Sequence, residues 1–432
     1  MRLPALILPV VIAAATLSPA RADDTLGLRP GIAPNDNGAD GIDTTAPAAK
    51  KAAPDDDPYA ALGIRAGSFI LYPSLTVSSG YTTNAAAAAG GTASPFGTVT
   101  PDLVIQSDWA RNALTIKLDG SYEKFFDGAT ADVPTASADA TGRIDFAPDW
   151  TADLDAGYLY DQQSISDPSY PAGADHPPGV NEFTTSATLN GRFGRSTFAI
   201  EGSADRTLYD NATSGGVPVD QGDRDNTDYS ARLRVGYDAT ASLSPFVEGV
   251  VSRRTYDRPV DNHGVARAGT ELDGRVGVAF NGDGPLQGEA SVGTATETFD
   301  DASLATLSAM TADGSLTWTP GKLTTVAFDA TTTLKPATDP ASSGSVDYFG
   351  SVDVTYAWRR NVDLDGIASI EDERFQGTGE TDRTYQLGAS ATWKMNRTAQ
   401  LIASYTHEWL DSTEAADNYA SDTVQMELRL QR

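Results

Sequence analysis

The chain of 432 residues contains no cysteine, which excludes a disulfide framework and any thiolate metal site. No stretch approaches 18 consecutive apolar residues, so no segment reads as a membrane-spanning helix. Positive charge is scarce. Lys and Arg number 31 against 59 Asp and Glu, a formal net charge of −28. An excess of that size argues against nucleic acid or any other polyanion as a partner, and implies acidic loops or an acidic pore. Histidine occurs three times, at His176, His263 and His407.

What the sequence has in abundance is alternation. In Val346–Ile370 the even positions read Val346, Tyr348, Gly350, Val352, Val354, Tyr356 and Trp358, then Val362, Leu364, Gly366, Ala368 and Ile370. The odd positions include Asp347, Ser351, Asp353, Thr355, Asp363 and Asp365. A period of two marks strands with one apolar and one polar face, and Arg359-Arg360-Asn361 is short enough only for a tight turn.

That unit recurs from Gly67 to Arg432. Short turns follow Trp109, Phe146, Phe193, Tyr237, Phe280, Trp318, Trp358 and Trp393, which are spaced roughly 40 residues apart and each close the apolar register of a strand. Between them run longer, more polar loops. Short turns at one end, long loops at the other and an aromatic girdle near the turns describe a transmembrane antiparallel β-barrel. The pattern predicts about 18 strands (16–18), with both ends of the barrel at the short-turn, periplasmic side. A β-propeller repeats at a similar length, but packs four short strands into it where this chain has two long ones. The strand from Leu243 to Tyr256 is the least regular, because Phe246-Val247 and Val250-Val251 put apolar groups on both faces.

The first residues predict an address. Arg2, the apolar run Leu3–Leu17 and the small-residue site Ala20-Arg21-Ala22 read as a secretory signal peptide over residues 1–22. Residues 23–66 are rich in Ala, Pro, Asp and Gly without periodicity, and read as a disordered, acidic periplasmic leader. Residues 67–432 are then the outer-membrane barrel of a Gram-negative bacterium.

The polar register supplies the candidate pore lining: Lys117, Asp119, Glu123, Asp139, Arg143, Asp145, Asp153, Asp155, Arg232, Arg234, Glu271, Asp273, Arg275, Asp353, Asp363 and Asp365. The same register adds Glu289, Asp313, Asp329, Asp347, Lys394, Glu427 and Arg429. An interior this charged cannot be a packed core, since buried unpaired charges cost several kcal/mol each. It must be wet. The sequence therefore points to passive passage of hydrophilic solutes with mild cation preference. An exit channel for surface polysaccharide and a non-conducting barrel are the alternatives. No enzyme is expected, and no cofactor or metal. His407 beside Glu408 lacks a partnering nucleophile or water site. The loop Asp220-Gln221-Gly222-Asp223-Arg224-Asp225-Asn226-Thr227-Asp228 is dense in oxygen ligands but does not match a calcium loop. It reads as a solvated acidic loop. The expected partners are outer-membrane lipid, the barrel-assembly machinery, and small solutes or polysaccharide. Monomer and trimer remain equally open.

Asp57-Pro58-Tyr59-Ala60-Ala61-Leu62-Gly63-Ile64-Arg65-Ala66-Gly67-Ser68-Phe69 with Leu71-Tyr72-Pro73-Ser74-Leu75 resembles the start of the outer-membrane β-barrel porin family of type 2. Pro101-Asp102-Leu103, Gln106-Ser107-Asp108-Trp109, and Pro245-Phe246-Val247-Glu248 with Arg253-Arg254 and Tyr256 fit the same pattern. The resemblance covers about residues 57–432. It implies an outer-membrane barrel with a transport role, some relatives being associated with export of surface polysaccharide, and no catalytic residues. The ending Leu428-Arg429-Leu430-Gln431-Arg432 departs from the terminal aromatic that assembly machinery reads in other barrels.

Overall fold

The structure is a computed structural model that describes residues 58–163, 170–171, 173–282, 284–336 and 342–432. The signal peptide, the leader as far as residue 57, Pro168 and Asp283 lie outside the described residues. No helix occurs among the described residues.

Eighteen long strands close the barrel. They are β1 (Phe69–Thr82), β2 (Ser94–Ser107), β3 (Ala113–Phe125), β4 (Val133–Ala147), β5 (Trp150–Gln162) and β6 (Gly179–Phe193). Next come β7 (Ser196–Tyr209), β8 (Asn226–Tyr237), β9 (Leu243–Tyr256), β10 (Gly269–Phe280), β11 (Leu286–Phe299) and β12 (Leu307–Gly321). The last are β13 (Thr324–Pro336), β14 (Gly344–Arg359), β15 (Val362–Gln376), β16 (Thr381–Asn396), β17 (Ala399–Ser412) and β18 (Tyr419–Gln431). Each pairs antiparallel with the next, and β1 pairs with β18 from Ser74↔Gln431 to Thr82↔Thr423. That closure removes the free edges a spanning sheet could not expose to lipid. Both barrel ends lie at the short-turn rim.

Two small additions were not legible. Ile64–Ala66 folds back on Phe69–Leu71, so the last part of the predicted leader is ordered. The long loop after β7 carries a hairpin of Ala212–Ser214 and Val217–Val219.

The alternating burial follows the predicted parity. In β14, Val352, Val354, Tyr356 and Trp358 are exposed while Ser345 and Asp347 are buried. The exposed register is apolar around the cylinder, including Ile200, Leu233, Val276, Val292 and Leu387. In a bilayer this face meets acyl chains and the polar face lines the interior.

The wall is interrupted between β12 and β13. The β12–β13 ladder runs only between Trp318↔Val326 and Gly314↔Ala330, apart from Gly321↔Thr324 at the turn. Towards the long-loop rim, β12 stays paired with β11 and β13 with β14, but not with each other. Side chains take over where the ladder stops. Ala312 N–H donates to the Thr332 hydroxyl at 3.0 Å, and Thr332 N–H donates to Asp313 Oδ1 at 3.1 Å. Leu334 then packs on Leu307 and Ala295. Leu307 and Ala295 occupy the inner register, opposite one another's neighbours Glu297 and Asp273. The end of β13 is thus tucked behind β12, and apolar contact seals an overlapping seam.

Candidate functional site: the inner wall and its aromatic boundaries

The inner face is set by the pairing registers. Lys117 faces Asp139, Asp102 faces Asp119, Arg143 faces Asp153, and Arg232 faces Glu201. Every candidate lining residue falls on this face, together with several the sequence reading passed over: Glu201, Asp228, Glu248, Arg254, Glu297, Lys335, Glu371 and Glu373. Their chain positions share the polar register, but loops or weak alternation hid them.

The wall divides into two unlike sectors. From β8 to β12 it is a packed block of ion pairs. Arg232 binds Glu201 at 2.6 Å, and Arg234 binds Glu289 at 2.5 Å and reaches Glu248 at 3.7 Å. Arg254 joins Asp228 and Glu297, both at 3.0 Å. Arg275 joins Asp273, and reaches Asp313 at 3.3 Å. Arg232, Arg234 and Arg254 are almost fully buried, and Arg275 is partly buried. Their planar forks suit several carboxylates at once, which offsets the cost of desolvating them.

Phe246 explains the irregular pattern of β9. It points inward, 6% exposed, with the Arg234 guanidinium 3.5 Å from its ring centroid. Gly277 makes the room, since a Cβ there would lie 2.3 Å from the Phe246 ring. Further round, Lys335 holds Asp347 at 2.9 Å and Glu371 at 3.0 Å, and Lys394 holds Asp363 at 2.9 Å.

A second sector, β2 to β6, differs. Asp102, Asp119, Glu123, Asp139, Asp145, Asp153, Asp155 and Glu182 share it with Lys117, Arg143 and Arg192. Lys117, Asp119 and Asp139 are exposed despite their inward register.

Outside, the aromatic girdle residues Trp109, Phe146, Phe193, Tyr237, Trp318, Trp358 and Trp393 are exposed and Phe280 is partly covered. Trp150 joins them against Phe193, ring centroids 5.5 Å apart. A second aromatic belt rings the long-loop end. It includes Tyr81, Tyr122, Tyr229 and Tyr405, the Tyr158–Phe183 pair at 4.9 Å, and Tyr385 stacked on Trp409 at 5.0 Å. The sequence reading missed this belt because long loops blur where those strands end. Two belts bound an apolar band, as lipid requires.

His407 and Glu408 point to opposite faces. His407 Nδ1 meets Asp422 at 2.8 Å outside, while Glu408 accepts from the Tyr419 hydroxyl at 2.7 Å inside. They form no common site.

The acidic loop is not freely solvated, which corrects the sequence reading. Gln221, Asp223, Arg224 and Asn226 are buried. Asp223 accepts from Asn262 N–H at 2.9 Å, Asp225 from Tyr209 N–H at 2.9 Å, and Asp220 from Arg258 at 2.6 Å. Backbone and guanidinium donors take up these carboxylates, and no His/Cys/Asp/Glu cluster suited to a metal exists among the described residues.

Neighbouring loops are tied in the same way. Burial works against the Asp261 carboxylate, but hydrogen bonds from Arg267, Val265 N–H and His263 N–H hold it below its ordinary range. Arg267 also donates to Ser342 O at 3.1 Å. Asp175 is lowered by the backbone N–H groups of Gly216 and Gly215.

With barrel closure, two aromatic belts and a charged interior in place, comparison with known families is decisive. The family described as "Putative beta-barrel porin 2" matches residues 57–432. The chain belongs to that family. This barrel porin is accordingly an outer-membrane protein. No curated protein matches it.

Among solved structures it is similar in fold to the outer membrane protein opdK from Pseudomonas aeruginosa, with a TM-score of 0.43 and 11% identity. That match covers 84% of this chain and 99% of that one. It is also similar to a mutant ferric enterobactin receptor (PfeA) from Pseudomonas aeruginosa, at TM-score 0.43, 9% identity, 84% of this chain and 80% of that one. The siderophore receptor PirA from Acinetobacter baumannii matches at TM-score 0.39 and 8% identity, over 84% of this chain and 80% of that one. At such identities only the barrel fold is shared.

Proposed function

We propose that this porin is a passive aqueous channel for hydrophilic solutes, mildly preferring cations, with no catalytic activity. The observation that carries the reading is the carboxylate-rich sector of β2–β6, where Asp119 and Asp139 are exposed on the inward register. Its centre is the directly facing pair Asp102↔Asp119. Two like charges side by side on a wet wall create a local negative potential that attracts cations without stripping their hydration. The β8–β12 sector is neutralised by its own ion pairs, so it adds little to the field.

In this reading the short-turn rim faces the periplasm, and residues 23–66 lie there after removal of residues 1–22. The barrel-assembly machinery inserts the chain, and outer-membrane lipid surrounds it.

Planar-bilayer conductance of the refolded protein under a KCl gradient tests the proposal. The reversal potential should carry the sign of K⁺ preference and grow as salt is lowered, because screening at 0.1 M acts over about 10 Å. Asp102→Asn with Asp119→Asn should reduce that preference while leaving conductance in place. Anion preference, or no conductance at all, would overturn it.

A further inference from the structure

On the lipid-facing side, charge lies at the two ends of the strands: at the short-turn rim Arg195 and Arg359 lie over the girdle rings of Tyr237 and Trp358, and the remainder stands at the long-loop end. Below that end, the outward positions of β15 and β16 are apolar, with Ile370 and Leu387 exposed. At the end itself, most outward cations are each matched by one carboxylate. Arg206 grips Asp257 through two hydrogen bonds of 2.7 and 2.6 Å. Arg253 grips Asp300 in the same manner, at 2.9 and 2.5 Å. Such bidentate pairs are neutral and closed.

One place differs. On β15 and β16, Arg374 and Arg383 share the single carboxylate of Asp372. Arg374 Nε donates to Oδ1 at 2.7 Å and Arg383 Nε donates to Oδ2 at 2.8 Å. The two guanidiniums are 57% and 44% exposed, whereas Asp372 is 15% exposed. The Tyr348 ring lies 5.2 Å from Arg374 and supports its plane. The three bonded groups carry a net positive charge on a chain whose total is −28, while Asp411 faces Arg383 from β17. Arg374 also donates to Oδ2 through a terminal nitrogen at 3.3 Å, whereas among the described residues Arg383 is engaged through its Nε alone, which leaves its terminal N–H groups to donate outward.

Height fixes the ligand. Arg383 lies two residues beyond Tyr385 of the long-loop belt, on the order of 5 Å along the membrane normal for a tilted strand. That is the headgroup layer, which extends roughly 5–7 Å beyond the hydrocarbon. We infer that Arg374 and Arg383, positioned by Asp372 and Tyr348, bind the phosphate of a phosphorylated lipid headgroup. Paired guanidiniums on adjacent strands suit a tetrahedral phosphate, which offers several oxygens to planar forks. With the loops facing outward, as the proposed function has it, the occupant is the phosphorylated glycolipid of the outer leaflet. The site thereby fixes the barrel's depth and rotation in the lipid.

The test uses the refolded full chain in zwitterionic detergent, titrated with lipid A, with lipid A lacking its phosphates, and with inorganic phosphate. Native mass spectrometry reads occupancy. Lipid A should bind at least tenfold more tightly than its dephosphorylated form, and millimolar inorganic phosphate should not displace it. Arg374→Gln with Arg383→Gln should remove the tenfold preference, and Arg374→Lys with Arg383→Lys should keep part of it. Heat-modifiable gel mobility confirms that each variant is folded.

The inference is overturned if the Gln pair binds lipid A as the parent does. It is equally overturned if inorganic phosphate competes, or if the phosphates make no difference. Conductance and ion preference should be unchanged in both variants, so this result stands apart from that of the channel test.

Discussion

A single charge moved by one residue along β14 tests the facing of the whole barrel. Val352 is 37% exposed on the apolar face, and Asp353 beside it points inward. Along the outward register Val352 lies between Tyr348 of the long-loop belt and Trp358 of the short-turn girdle. At about 3.3 Å per residue and a tilt of about 40°, Val352 sits roughly 10 Å from the first and 15 Å from the second. The sum, roughly 25 Å, equals the usual height of the apolar band, so Val352 is near the midplane. Arginine there costs about 2–4 kcal/mol, and the slight offset towards one belt favours the lower half of that range. A loss of about 2–3 kcal/mol lowers the folding equilibrium roughly 30- to 150-fold.

Val352→Arg should therefore shift the denaturant midpoint in liposomes and reduce the heat-modifiable folded band. Asp353→Arg turns its charge into the lumen and should cost less than about 1 kcal/mol, because a one-residue step changes the face. Equal destabilisation of the two variants, or the reverse order, would refute the assigned register.

Three further outcomes follow from the geometry. Arg254→Ala strands Asp228 and Glu297 inside the wall and should destabilise by about 3–5 kcal/mol in denaturant titration, with partial recovery on adding Glu297→Gln. In this cysteine-free chain, Leu307→Cys with Leu334→Cys should form a disulfide across the β12–β13 seam without reducing folded yield. A failure to oxidise would place those side chains apart. Asp261 titrates below its ordinary value of 3.8. It therefore stabilises its loop at pH above that value, and the contribution is lost as pH falls through the lowered folded value. Limited proteolysis of the β9–β10 loop should accelerate over that acidic window, and Asp261→Asn should abolish the dependence.

The sequence by itself determined the strand count to within two, the end at which the short turns lie and the register of the charged residues in its clearly alternating strands. All three are local. A two-residue period assigns a side chain to one face wherever the strand goes, and a turn such as Arg360-Asn361 leaves no room for anything longer. Trp358 and its counterparts could be read as a girdle because they stand directly before such turns. The second aromatic belt had no equivalent marker, since Tyr229 or Tyr385 adjoins a long loop.

What only the tertiary structure decided is who pairs with whom along the inner wall. Arg234 on β8 reaches Glu289 on β11, 55 residues away, and Arg254 on β9 reaches Glu297 on β11, 43 residues away. These partners are not on adjacent strands. They meet because the closed wall curves inward and long guanidinium side chains span its concave face. The seam between β12 and β13 is invisible for a related reason. Met310 and Leu334 keep perfect alternation, and alternation records which face a side chain takes, not whether the neighbouring backbone is there to bond.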